Sequence, residues 1–193
     1  METLAAIHQR RSVRKYQDTP VPDDVLEQIL DAGCMAPSAV NLQPWYFVAV
    51  KSREQMEALH EVLTPVAAYA LPGLKERFPN HPAIVGETLG FLKSLGGAPV
   101  CILAFCLKQN YEPVDSLLIS QSVAAGIENM LIAATDMGLG SCWLSAPWEA
   151  GLSDALKEKF APDKGELLAV MTFGYAASEI KAPKRKEGRY VII

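Results

Sequence analysis

The spacing of hydrophobic residues along the chain predicts six helices, because apolar side chains recur three or four positions apart. The predicted helices cover residues 2–9, 22–33, 52–63, about 84–95, 114–137 and 152–160. The second helix begins with Pro22 and two acidic residues, and Ser52 with Gln55 resembles a capping box for the third. The fifth helix is apolar on more than one side, so it is either the core helix of a monomer or packs against its twin in a dimer.

Shorter apolar runs predict four strands. These are Tyr46–Val50, Val100–Leu107, Ser141–Ser145 and Leu167–Tyr175. The second strand, VCILAFCL, is apolar on both faces, as a central strand covered on both sides has to be. Because helices and strands do not alternate strictly, the predicted class is α+β, with helices around one sheet.

Two segments do not fit this pattern. The stretch from Pro65 to Pro82 is predicted to be irregular because of its prolines and Pro72-Gly73, and it is a candidate lid or pocket wall. The tail Tyr190–Ile193 is β-prone but has no hairpin partner. Pairing with a sheet edge of another subunit would protect it from aggregation, and a frayed terminus is the alternative.

Composition limits the class of protein. The chain has 193 residues, of which 50% are hydrophobic, and it contains no repeat or linker, so one domain over residues 1–193 is expected. The N-terminus carries no secretory signal and acidic residues interrupt the long apolar helix, which favours a cytoplasmic protein without a membrane partner. A net charge of -4 argues against nucleic-acid binding. The spacing of cysteines and histidines favours reduced thiols and no metal site.

No motif of a P-loop, a serine-hydrolase elbow, a zincin or a dinucleotide-binding turn is present. No catalytic side chain is therefore predicted, and the reactive centre of an enzyme would be a bound cofactor. Three polar stretches could hold one: Arg10, Arg11, Ser12 and Arg14; Pro37, Ser38, Asn41 and Gln43; and Lys184 with Lys186. Guanidinium groups and a hydroxyl suit a phosphate monoester, and amide side chains can recognise the edge of a heterocycle.

These stretches carry a resemblance. RRSVR, followed by APSAVNLQPW, a GLGSCW strand after a long Ala-rich helix, and PKRK near the C-terminus together resemble the nitroreductase family of flavoproteins. The resemblance spans nearly the whole chain. It implies a nitroreductase-like fold with a central mixed or antiparallel sheet, and a homodimer that exchanges its C-terminal segments and binds FMN at the interface.

The resemblance also implies roles for individual residues. Arg10, Arg11 and Ser12 match positions that hold the FMN phosphate and ribityl chain, with Lys184 and Lys186 on the same phosphate. Arg14 matches the cation beside N1 and O2 of the ring. Pro37, Ser38 and Asn41 match a loop from the other subunit, and Leu144 and Ser145 match the segment whose backbone N–H faces N5.

The implied activity is transfer of a hydride from NADH or NADPH to FMN, and then to a small-molecule electron acceptor such as a nitroaromatic or quinone, in a ping-pong cycle. WLSA stands where some relatives have PxEG, so the substrate-side chemistry is expected to differ. Ala39 stands where a second serine is common, which removes one possible hydrogen-bond donor. Alternatives are a specialised reductive dehalogenase or dehydrogenase of the same fold, a non-catalytic flavin-binding protein, and an anion-binding module without flavin.

Overall fold

A four-stranded antiparallel sheet forms the centre of the computed structural model, which describes residues 2–107 and 116–193. Its strands are β1 (Trp45–Val50), β2 (Val100–Cys106), β3 (Gly140–Leu144) and β4 (Leu167–Gly174), in the spatial order β1-β2-β4-β3. Leu103 of β2 pairs with Val48 and Val170, and Val170 also pairs with Leu144. The predicted α+β class with one sheet is confirmed.

Eight α-helices lie within the described residues. They are α1 (Thr3–Gln9), α2 (Asp23–Cys34), α3 (Arg53–Leu63), α4 (Val66–Arg77), α5 (Pro82–Ser94), α6 (Ser116–Asp136), α7 (Ala146–Glu149) and α8 (Ser153–Phe160). As predicted, Ser52 caps α3 by accepting a hydrogen bond from the Gln55 N–H. Leu95, Gly96 and Gly97 follow α5 with positive φ angles. The predicted start of the long helix at residue 114 lies outside the described residues.

Side chains of β2 alternate between two hydrophobic clusters, one on each face of the sheet. Cys101, Leu103 and Phe105 pack with residues of α3, α5 and α8. Val100, Ile102 and Ala104 pack with residues of α2 and α6. The VCILAFCL run therefore has the two-sided burial that its composition predicts.

The prediction of an irregular segment from 65 to 82 is wrong for most of that range. Helix α4 covers residues 66–77 and contains Pro72, and α5 begins at Pro82. Buried Val66 and Ala67 anchor the first turn of α4, and the helix packs against α5. A proline in the interior of a helix is unfavourable, so helix propensity alone predicts no helix across Pro72. The packing of α4 offsets this cost.

Helix α6 is the one helix within residues 2–107 and 116–193 that is long and apolar enough to cross a membrane by length and composition. Its Val123, Ile127 and Met130 are buried in the cluster that faces α2. A Cβ atom at Gly126 would lie 2.9 Å from the carbonyl oxygen of Gly33, so this glycine permits the close approach of α2. The helix thus packs as a core element.

The chain after β4 contains no further strand within the described residues. Tyr190 and Ile192 are about nine-tenths exposed, at 90% and 91%. Exchange of this segment with a second subunit stays a prediction.

Candidate functional site

The N-terminal basic segment, residues 10–15, lies along the edge strand β3. Ser12 forms a parallel bridge with Ser141, and the Val13 N–H donates to the Ser141 carbonyl oxygen at 2.8 Å. Val13 is buried against Gly140, where a Cβ atom would lie 2.3 Å from Val13 Cγ2. The absent side chain of Gly140 therefore lets the basic segment dock on the sheet.

Tyr16 fixes the end of this segment. Its buried hydroxyl lies 2.8 Å from the Val13 carbonyl oxygen and 2.7 Å from the Thr172 hydroxyl. Burial raises the pKa of Tyr16, so the phenol stays protonated and able to donate. Its backbone N–H donates to the Gly96 carbonyl oxygen at 2.9 Å. These bonds hold the intervening Arg14 at the surface, where its side chain is exposed.

A cavity of about 600 Å³ opens beside Arg14, and we call it the front cavity. The end of β3 and the start of α7 form one side, and α4 and α5 form the other. Its lining includes Arg14, Tyr69, Arg77, Phe91, Trp143, Leu144, Ser145 and Glu149. The structure thus brings together three of the predicted site residues, Arg14, Leu144 and Ser145.

A second cavity of about 1060 Å³, the basic cavity, adjoins the first. Its lining includes Ser12, Arg14, Lys15, Arg77, Glu87 and Ser178. The two cavities share part of their lining, so they adjoin one another. The shared residues are Arg14, Leu74, Arg77, Thr88 and Phe91. The arrangement can take a ligand that has a ring at one end and an anion at the other.

Arg10 and Arg11 line neither the front nor the basic cavity, and their side chains make other contacts. Arg10 Nε lies 3.1 Å from Glu128 Oε1 on α6, and both side chains are partly exposed. Arg11 Nη1 donates to the carbonyl oxygens of His8 and Arg10, at 2.7 and 2.6 Å. Arg11 lines a cavity of about 730 Å³ between the end of α6 and residues 176–182.

The loop that carries Pro37, Ser38 and Asn41 lines neither cavity that Arg14 lines. Ser38 Oγ accepts a hydrogen bond from the Gln43 N–H at 2.9 Å, and Gln43 Nε2 donates to Asn41 Oδ1 at 3.0 Å. Val40, Asn41 and Gln43 have φ angles of 43°, 57° and 47°. Left-handed conformations of such residues cost about 1 kcal/mol or more each, and strain of this kind concentrates at functional sites.

Lys184 and Lys186 are exposed in a segment without regular secondary structure. Neither lysine lines the front or the basic cavity. Their role at a phosphate stays a prediction.

Sequence reasoning missed several residues of the site. Tyr69 and Arg77 lie in the stretch from Pro65 to Pro82, which the sequence predicted as a lid or pocket wall, and α4 does line the front cavity. No motif singles out these two side chains or Phe91 of α5. Trp143 is exposed between buried Cys142 and Leu144 on β3, but it is itself apolar, so the hydrophobic pattern of the sequence does not distinguish it from its neighbours. Glu128, the partner of Arg10, lies on α6 and belongs to no motif either.

Cys142 lies close to Arg14 on the wall of the front cavity. Burial raises the pKa of its thiol, and the Arg14 guanidinium and a hydrogen bond with Ser12 only partly offset this. The thiol is therefore protonated at neutral pH and is not an activated nucleophile.

The sheet lies between two helical layers and carries the basic segment on its edge strand, and the two adjoining cavities beside that segment are large enough for a small molecule. Residues 7–175 match the nitroreductase family. The chain is 32% identical over 180 residues to a protein of Methanothermobacter thermautotrophicus provisionally named NADH dehydrogenase/NAD(P)H nitroreductase, covering 92% of this chain and 78% of the relative. The chain belongs to the nitroreductase family, as the sequence motifs predicted.

Solved structures agree with this assignment. A nitroreductase with bound FMN from Bacteroides fragilis has a TM-score of 0.76 and 26% identity, covering 100% of this chain and 99% of that chain. A BluB-like flavoprotein from Clostridium difficile has a TM-score of 0.77 and 28% identity, with coverage of 100% and 99%. The predicted nitroreductase-like fold is confirmed.

Proposed function

We propose that this chain is an FMN-dependent oxidoreductase that takes a hydride from NADH or NADPH and passes the electrons to a nitroaromatic, quinone or related electron-poor acceptor. Family membership and the FMN bound in the Bacteroides fragilis relative support the enzyme class and the cofactor. In this chain, the observation that carries the proposal is that Arg14 lines both cavities and shares the front cavity with Leu144 and Ser145.

The residues present fit FMN. Arg10, Arg11 and Ser12 follow one another in the basic segment and offer two guanidinium groups and a hydroxyl, which is the donor set that a phosphate monoester prefers. The front cavity, with apolar and aromatic walls, offers space for a flat ring. We expect Arg10, Arg11 and Ser12 to hold the phosphate and ribityl chain, and Lys184 and Lys186 to add positive charge.

FMN, when bound, supplies the hydride acceptance and donation that no side chain of this protein provides. Arg14 would stabilise negative charge at the N1–O2 edge of the ring, because a fixed cation in a site of low dielectric interacts strongly with developing charge. The backbone at Leu144 and Ser145, where β3 ends, would face N5. The donor and the acceptor would occupy the front cavity in turn, which is a ping-pong order.

We propose further that the protein is a cytoplasmic homodimer. The loop of Pro37, Ser38 and Asn41 lines neither cavity of its own chain beside Arg14, which fits a role in the partner's site. The exposed apolar tail at residues 190–193 fits a contact with a second subunit.

Reconstitution with FMN tests the proposal. The protein should turn yellow, and anaerobic mixing with NADH or NADPH should bleach it within the time of one turnover. A colourless protein that is indifferent to FMN would overturn the proposal. Bleaching by neither donor would indicate a non-catalytic flavin-binding protein, and bleaching followed by turnover only with halogenated or other dedicated substrates would indicate a specialised flavoenzyme.

Two variants separate the roles of the arginines. We expect Arg14→Ala to keep much of the FMN affinity but to slow bleaching, and Arg10→Ala mainly to weaken FMN binding. Lys93→Ala is the control, because Lys93 is exposed on α5 and lines neither cavity. Equal losses of affinity and bleaching rate in both arginine variants would contradict this division.

A further inference from the structure

Arg77 lies in the last turn of α4 and lines both the front and the basic cavity. Within residues 2–107 and 116–193, the ion pairs of the structure involve neither Arg77 nor Arg14. The Arg77 guanidinium carbon lies 5.8 Å from the centroid of the neighbouring Phe78 ring. Arg77 therefore presents an exposed cation at the junction of the cavities.

Aromatic side chains surround the front cavity near this cation. Tyr69 and Trp143 line it with 53% and 40% of their surfaces exposed, so both side chains are accessible to a ligand. Phe91 contributes a buried ring to the same wall. Aromatic rings stack on one another in offset or edge-to-face arrangements, so these walls favour a planar aromatic ligand.

The charges that line the two cavities favour an anion. In the front cavity, Arg14 and Arg77 face one carboxylate, that of Glu149. In the basic cavity, Lys15 adds a third cation and Glu87 is the carboxylate. A cleft lined mainly by one sign of charge raises the local concentration of ligands with the opposite charge.

We propose that Arg77 binds the anionic group of the electron acceptor, so that this enzyme favours planar aromatic acceptors that carry a carboxylate. The inference rests on the proposed function, in which Arg14 serves the cofactor. Arg77 is then the remaining arginine of the front cavity, and its forked N–H groups match the two oxygens of a carboxylate.

A pair of acceptors that differ in charge tests this proposal. 4-Nitrobenzoate and 4-nitrobenzamide share the ring and the nitro group, but only the first is an anion. We expect the wild type to favour nitrobenzoate in kcat/KM. Because a hydrogen bond to a charged group is strong, Arg77→Gln should lower kcat/KM for nitrobenzoate about 10- to 100-fold and leave nitrobenzamide within about twofold.

Lys75→Gln is the matched control. Lys75 lies in the same turn of α4 and is exposed, but it lines neither cavity. The same loss in Lys75→Gln would mean that general surface charge attracts the acceptor, and it would overturn the role of Arg77. Equal effects of Arg77→Gln on both acceptors, or no effect on either, would also overturn it.

A binding measurement separates this inference from the proposed function. Benzoate, which cannot accept a hydride here, should bind the FMN-loaded wild type in calorimetry, and Arg77→Gln should lose that binding. If neither nitro compound is reduced but benzoate binding still depends on Arg77, the proposed function fails and the anion site stands. If Arg77→Gln instead weakens the binding of NADPH but not that of NADH, the anion that Arg77 binds is the 2′-phosphate of NADPH. The assignment of Arg77 to the acceptor is then overturned.

Discussion

The contact between Val13 and Gly140 connects the stability of the fold to the position of the basic segment. Replacing Gly140 by alanine would place a Cβ atom 2.3 Å from Val13 Cγ2 and 2.8 Å from Val13 Cβ. Since Val13 is buried and its N–H bonds Ser141, the segment has to shift away from β3 to relieve the overlap. We therefore expect Gly140→Ala to destabilise the protein and to weaken FMN binding together.

The expected magnitude follows from the packing. Insertion of a methyl group into a filled site costs about 1–3 kcal/mol. Val13→Ala removes two buried methyl groups, which costs about 2 kcal/mol. In the double variant the smaller side chain at position 13 leaves room for part of the new methyl group. We expect the double variant to be more stable than the sum of the single effects predicts, by about 1–2 kcal/mol.

Urea unfolding of the four proteins, at one protein concentration and without FMN, measures this coupling. FMN titration of the same proteins by fluorescence should show the weakest binding in Gly140→Ala. Gly86→Ala is the control, because nothing lies within 4 Å of a Cβ atom at that exposed helical position. That change should stabilise the protein by up to about 1 kcal/mol. If the loss of unfolding free energy in the double variant equals the sum of the losses in Gly140→Ala and Val13→Ala within about 0.5 kcal/mol, the reasoning is refuted.

Two further predictions concern the assembly and the pH dependence of stability. Deletion of residues 190–193 should shift the protein from dimer towards monomer in sedimentation, and an unchanged profile would argue against a role of the tail at the interface. Burial raises the pKa of Cys101 from 9.0 to about 12, so unfolded chains release this proton first. Stability should therefore be lost as the pH rises from about 9 towards 12, by about 1 kcal/mol between pH 8 and 10 for this one group. Urea unfolding at those pH values should show a smaller loss in Cys101→Ala, and an equal loss in both proteins would contradict the assignment.

The sequence alone determined most elements of this protein and its family. The run VCILAFCL is apolar on both faces, which predicted the covered central strand that is now β2. The RRSVR and APSAVNLQPW motifs resemble those of the nitroreductase family, to which the chain belongs. Such patterns depend on residues that lie close together in the sequence.

The tertiary structure alone decided the shape of the site. Pro72 opposes a helix locally, but packing against α5 holds α4 in place and carries Arg77 and Tyr69 to the front cavity. Arg14, Arg77 and Leu144 are far apart in sequence, and the docking of Val13 on β3 together with the hydrogen bonds of Tyr16 brings the first of them to the other two. Contacts of this kind depend on which surfaces meet after folding. Local patterns of residue spacing along the chain therefore do not reveal them.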